Sequence, residues 1–165
     1  MSVADELLKA NQEFLKNNRL GDLPAQPRRK VAVLACMDCR ILFERCLGLA
    51  PGDAHVIRNA GGIATDDALR SLIVSHYLLE TQEFIIINHT LCGLLNLEDN
   101  AFKKSLNQKT GHSASEPAQF FGFDDLQANV RRQVDKVKSH PWIPKNIQVR
   151  GFIYDVKTGQ LTEVK

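Results

Sequence analysis

Val31-Ala32-Val33-Leu34-Ala35, ending at Cys36, is the stretch that decides the fold. A short unbroken apolar run of this kind is the pattern of a strand buried on both faces, as in a parallel sheet. Phe84-Ile85-Ile86-Ile87 repeats it with stronger β-branched character and stops just before His89. Ala54-His55-Val56-Ile57 supplies a strand between the two. Leu69, Leu72, Ile73 and His76 mark one face of a helix that begins after Thr65-Asp66-Asp67, whose side chains suit an N-cap and first turn. Strand, helix and strand in this order predict an α/β fold, a central mainly parallel β-sheet flanked by helices.

Working outward, Leu126, Val130, Val134 and Val137 form a second helical stripe after Asp124, closed off by Pro141 and Pro144. A strand follows at Ile147 to Tyr154, then a turn at Lys157-Thr158-Gly159-Gln160 and a short edge strand near Leu161 to Val164. The stretch from Lys109 to Phe121 is polar and shows no regular period. Towards the N-terminus, Gly21 to Arg29, with Pro24 and Pro27, reads as a linking loop. Before it, Val3, Leu7, Leu8, Phe14 and Leu15 recur at helical spacing, with Ser2 and Asp5 as an N-cap signal. This terminal helix packs either on its own domain or across a second subunit. The chain, of 165 residues, is expected to be a single domain over 1–165: an N-terminal helix and linker over 1–29 and an α/β core over 30–165.

A formal charge of only +2, with no long block of one sign, argues against nucleic acid as a partner. The start Met1-Ser2-Val3-Ala4-Asp5-Glu6 is acidic where a secretory signal needs positive charge, and no apolar run is long enough to span a membrane. These features predict a soluble cytoplasmic protein. Its four cysteines lie between Cys36 and Cys92, too few and too clustered for a disulfide scaffold, so they are expected as thiols or metal ligands.

In open parallel sheets functional groups gather beyond the carboxyl ends of the strands, and Cys36 and His89 fall there. Cys92, three residues past His89, lies close enough for a tight loop to aim both side chains at one point. Two thiolates and one imidazole are a zinc donor set, and three protein ligands match an open catalytic site. On spacing alone, His89 reads equally well as a hydrogen-bonded loop histidine and the cysteines as core residues. Asp38 and Arg40 flank the same position. Paired, the guanidinium keeps the carboxylate ionised, and the ordinary alternative is a simple ion pair in a loop. Cys36-x-x-Cys39 also permits a thioredoxin-like redox pair, although the usual flanking residues are missing; burial is the expected state of Cys39 and Cys46. Gly61 and Gly62, in Arg58-Asn59-Ala60-Gly61-Gly62, let the backbone approach a neighbour closely. His55, His76, His112 and His140 read as structural or surface residues.

Taken together, Cys36-x-Asp38-x-Arg40, Asn59-Ala60-Gly61-Gly62 and His89-x-x-Cys92-Gly93 resemble the β-carbonic anhydrase family. The similarity extends from about Val31 to Thr158-Gly159. It is greatest to the short subgroup that also contains carbonyl sulfide hydrolase and carbon disulfide hydrolase. The resemblance implies one zinc ion per subunit held by Cys36, His89 and Cys92, a catalytic dyad of Asp38 and Arg40, and a homodimer or higher homo-oligomer. The implied chemistry is attack by zinc-bound hydroxide on the central carbon of a small linear gas molecule. Carbon dioxide hydration to bicarbonate is the first expectation and carbonyl sulfide hydrolysis the alternative, ahead of carbon disulfide hydrolysis or a Cys36/Cys39 redox module.

Two positions depart from the family pattern. Cys39 stands where a small or different residue is usual, and Leu91 stands where a polar residue, often Asp or Ser, separates the second and third ligands. With Gly61 and Gly62, Leu91 is expected to line the substrate pocket and to dry it, unless it points into the core.

Overall fold

A computed structural model describes residues 2–18 and 20–165; Met1 and Arg19, both within the 1–29 segment, lie outside the described residues. Five strands form one sheet in the order β2-β1-β3-β4-β5: β1 (Val31–Cys36), β2 (Ala54–Asn59), β3 (Glu83–His89), β4 (Gln148–Tyr154) and β5 (Leu161–Val164). β2, β1, β3 and β4 are parallel, and β5 runs antiparallel along β4. The strands β2 and β3 each run two residues past the apolar cores that announce them, so His89 is the last residue of β3 as Cys36 is the last of β1. Register sets Cys36 opposite Asn59, and Ala35 opposite Ile87.

The helices explain which face is covered. α3 (Asp66–Tyr77) joins β2 to β3, and α5 (Leu126–Ser139) lies in the connection from β3 to β4. Both crossovers move the chain in the same direction across the sheet, so right-handedness puts both helices on one face. There Ala68, Leu69 and Leu72 of α3 and Val137 of α5 pack on Ala32, Leu34, Phe84 and Ile86. Full burial of a side chain such as Phe84 or Ile86 contributes about 1.5–3 kcal/mol. Gly151 lets α5 come close, since a Cβ there would meet Val130 Cγ1 at 2.5 Å. The step from β1 to β2 runs the other way, and its connection, with α2 (Phe43–Cys46), covers the opposite face. That face carries Val33, Ala35 and Ile87 against Ile41 and Phe43. Its cover is one short turn of helix, whereas a parallel sheet ordinarily needs both faces covered.

Thr65 and Asp125 cap α3 and α5 by accepting from the amides of Ala68 and Ala128. α1 (Val3–Leu15) carries a full capping box between Ser2 and Asp5, yet none of its residues is buried. α4 (Asp99–Thr110) is a helix that the hydrophobic pattern does not announce, because it too buries no residue. Asp99 at its start instead accepts from the backbone amides of Phe120, Phe121 and Gly122, tying down the polar stretch expected to be irregular.

The expected burial of Cys39 and Cys46 is overturned, since both are exposed. Cys39 falls in the turn that follows β1, and Cys46 ends α2, a helix so short that only Phe43 faces inward.

Candidate metal centre

The strand order reverses between β1 and β3, and the crevice beyond that switch point is where open α/β sheets place their sites. Cys36 comes from β1 and His89 from β3. Leu91, at φ 55, turns the chain back so that Cys92 joins them. The ligand atoms of Cys36, His89 and Cys92 all lie within 4.8 Å of one another, and all three residues are buried. Leu94, Leu95, Phe123 and Leu126 close over the sulfurs.

The donor set fits a soft or borderline divalent cation. His89 Nδ1 lies 2.8 Å from the Thr90 carbonyl oxygen, which can only accept, so Nδ1 carries the proton and Nε2 the lone pair. Among the described residues, Nε2 is a buried side-chain atom with no hydrogen-bond partner. Such an orphan costs about 1–3 kcal/mol unless something binds it. The thiol of Cys92 and the imidazole of His89 hold Cys36 well below the usual thiol range. The Cys36 thiolate in turn pushes the Cys92 thiol up, so the two sulfurs share one proton. Burial works against a protonated His89, but the Cys36 thiolate outweighs it and raises the imidazole. The pocket thus attracts positive charge between its sulfurs.

Asp38 stands at the rim. Arg40 Nε and Nη2 donate to its Oδ1 and Oδ2 at 2.9 and 2.6 Å, and the Arg40 amide adds a third bond at 2.9 Å. Hydrogen bonding to Arg40 holds the Asp38 carboxyl well below the usual carboxylate range. Its Oδ2 is 3.8 Å from His89 Nε2, beside the ligand group and outside it. Arg40 Nη2 also donates to the Leu91 carbonyl at 3.1 Å, linking the dyad to the turn between the second and third donors.

The remaining predicted residues divide. The Leu91 side chain is 54% exposed and does not point into the core. Gly61 and Gly62 are buried behind the donors rather than open to solvent. At Gly62, φ +64, a Cβ would stand 2.9 Å from Asn88 Nδ2, the Cys36 amide nitrogen and the Ile87 oxygen. Cys39 does not join Cys36, whose neighbours are Cys92 and His89. Arg58 carries no motif, and sequence reasoning missed it: its Nε donates to the Cys36 oxygen at 3.0 Å and its Nη2 to the Asp38 oxygen at 2.6 Å. The one signal was its place at the end of β2, directly before Asn59.

Fold and donors together define a zinc enzyme with a Cys-His-Cys centre at the switch point of a parallel sheet. Residues 31–161 match the sequence model of the carbonic anhydrase family, and the chain belongs to that family, in its β class. It is 39% identical over 164 residues to beta-carbonic anhydrase 1 of Mycobacterium tuberculosis, covering 99% of each chain. It is also 37% identical over 151 residues to a carbon disulfide hydrolase of Acidithiobacillus thiooxidans, covering 81% of this chain and 76% of that one. Among solved structures, the carbonic anhydrase of Streptococcus mutans superposes with a TM-score of 0.94 at 39% identity, covering 100% of this chain and 99% of that one.

Proposed function

We propose that the chain hydrates carbon dioxide to bicarbonate, releasing a proton. The observation that carries this reading is the Asp38–Arg40 pair locked beside an orphaned His89 Nε2 and two sulfurs. Cys36, His89 and Cys92 would hold the zinc. When bound, zinc acidifies a water towards neutrality, a property long established for carbonic anhydrases, and supplies the nucleophile. Asp38 remains a carboxylate because Arg40 holds it, so it accepts a hydrogen bond from the attacking water and fixes where its lone pair points. The Leu91 carbonyl anchors Arg40, and Arg58 fixes the backbone on both sides of Met37. The Leu91 side chain offers an apolar wall to a linear, uncharged molecule, and Gly61 and Gly62 back the donors from inside rather than meeting it.

Leu91 and the similarity to carbon disulfide hydrolases favour a second reading, hydrolysis of carbonyl sulfide to hydrogen sulfide and carbon dioxide. A dry apolar wall suits a weakly hydrated sulfur compound. Zinc-loaded protein assayed on carbon dioxide, carbonyl sulfide and carbon disulfide separates the two. Fast carbon dioxide hydration without hydrogen sulfide release supports the first; rapid hydrogen sulfide release with slow hydration overturns it.

The homo-oligomer belongs to this reading. The apolar residues Val3, Leu7, Leu8, Phe14 and Leu15 of α1 are exposed, and one sheet face has little helical cover. A second copy would cover both. None of the described helices is long and apolar enough to cross a membrane. Cytoplasmic placement is part of the proposal.

A further inference from the structure

A buried chain of carboxamide side chains joins α5 to the metal centre. Asn88 precedes His89 in β3, so strand alternation sends its side chain to the opposite face, towards α5. Asn88 Nδ2 donates to the carbonyl oxygens of Gly61 and Gly62 at 2.9 and 3.2 Å. Asn88 Oδ1 accepts from Asn129 Nδ2 at 2.9 Å. Asn129 Oδ1 accepts from Gln133 Nε2 at 2.9 Å and from Arg132 Nη2 at 3.2 Å. Gln133 Oε1 accepts from the Ala64 amide at 2.9 Å. Asn88, Asn129 and Gln133 are all buried, and each oxygen and nitrogen of their side chains has a partner.

A stable core does not need three buried carboxamides, since apolar side chains fill the same volume without desolvation cost. What the amides add is direction. They grip the segment from Gly61 to Ala64 from one side, while Asn59 grips it from the other, its Nδ2 donating to the Ile63 oxygen at 2.7 Å and its Oδ1 accepting from the Ile63 amide at 2.8 Å. The segment so held lies against the ends of β1 and β3: a Cβ at Gly62 would stand 2.9 Å from the Cys36 amide nitrogen and from the Ile87 oxygen. Groups packed behind metal ligands fix where those ligands stand, and their loss weakens metal binding.

We infer that the Asn88–Asn129–Gln133 relay positions the metal centre: by fixing the Gly61–Gly62 turn against the ends of β1 and β3 it holds the Cys36 sulfur where the other two donors converge. These are positioning residues, none of which touches a substrate. The inference rests on the proposed ligation by Cys36.

The test uses the full chain with Asn129→Asp and Asn129→Leu. Aspartate keeps the shape and still accepts from Gln133 and Arg132, but cannot donate to Asn88. Leucine removes every polar contact. Should Asn129→Leu fail to fold, Asn129→Asp, supported by Arg132, carries the test. With cobalt(II) in place of zinc, the thiolate-to-metal charge-transfer bands are expected to shift and weaken in both variants. Zinc retention against a chelator is expected to fall about 10-fold. A lowered melting temperature with unmoved bands and unchanged zinc retention shows a merely structural role and overturns the relay alone. Absence of thiolate-to-cobalt bands in the unaltered protein overturns the ligand assignment on which the relay stands.

Discussion

Where β1 and β3 end, Cys36, Asn88, His89 and Cys92 are all buried, and hydrogen bonds reach that corner from Arg58, Asn129 and Gln133. Along α1 the capping is equally complete, yet none of its residues is buried. The corner is held by contacts made within one chain, whereas α1 has local order alone, and a helix of that length is marginal without a surface to lie on. The difference teaches where this protein spends its own interactions. It builds the donor pocket by itself and leaves the apolar side of α1 exposed.

The contrast breaks most completely at Cys92. Cys92→Ser is expected to abolish zinc binding, read as metal content per chain after gel filtration, and to loosen the segment from Thr90 to Leu97 in hydrogen exchange, because metal binding and local folding are coupled. Full zinc content in that variant would remove Cys92 from the donor set. Asp38→Asn is expected to keep zinc and lose turnover by about 100-fold or more; unchanged rates would mean the dyad is only an ion pair. Gly62→Ala is expected to lower stability by about 2–3 kcal/mol in a denaturant melt, from strained backbone and a Cβ with no room.

A smaller effect concerns protonation. Because the folded pKa of Asp38 is depressed by Arg40, the stabilising contribution of this pair is present above the ordinary carboxylate value, about 3.9, and is lost only as pH falls through the folded value. Carboxyl carbon resonances should show Asp38 still ionised at pH 4, and Arg40→Met should return it towards the ordinary titration. Smallest of all, Leu8→Glu in α1 is expected to change the stability of a dilute single chain by less than about 0.5 kcal/mol, as exposed sites do. At higher concentration the same change should reduce the mass seen in sedimentation, and an unchanged mass would leave α1 outside any assembly.

The sequence shows some parts of this plainly and hides others for physical reasons. Continuous apolar runs identify β1 and β3 because a parallel sheet buries both faces, and Ser2 and Thr65 mark helix starts because their oxygens satisfy free amides. α4 escapes because nothing in it is buried and its first residue caps a distant loop instead of its own helix. Cys36, His89 and Cys92 are legible as a donor set because each stands at or just after the end of a buried strand. Arg58, Asn129 and Gln133 are not, since what they do depends on a partner far along the chain. Asn88 left a faint sign, an amide directly after four apolar residues of a buried strand. Cys39 and Cys46 mislead because cysteine is usually buried, while the turn and short helix that carry them lie at the surface.

Cys36 and His89 are neighbours in space but stand on strands separated along the chain by α2, β2 and α3. A metal held by both is therefore a cross-link between distant parts of the polymer, closing a long loop whose entropy was already spent when β1 paired with β3. The three donors converge only in the chain with β1 and β3 paired, so holding zinc on all of them and keeping that pairing are one and the same equilibrium.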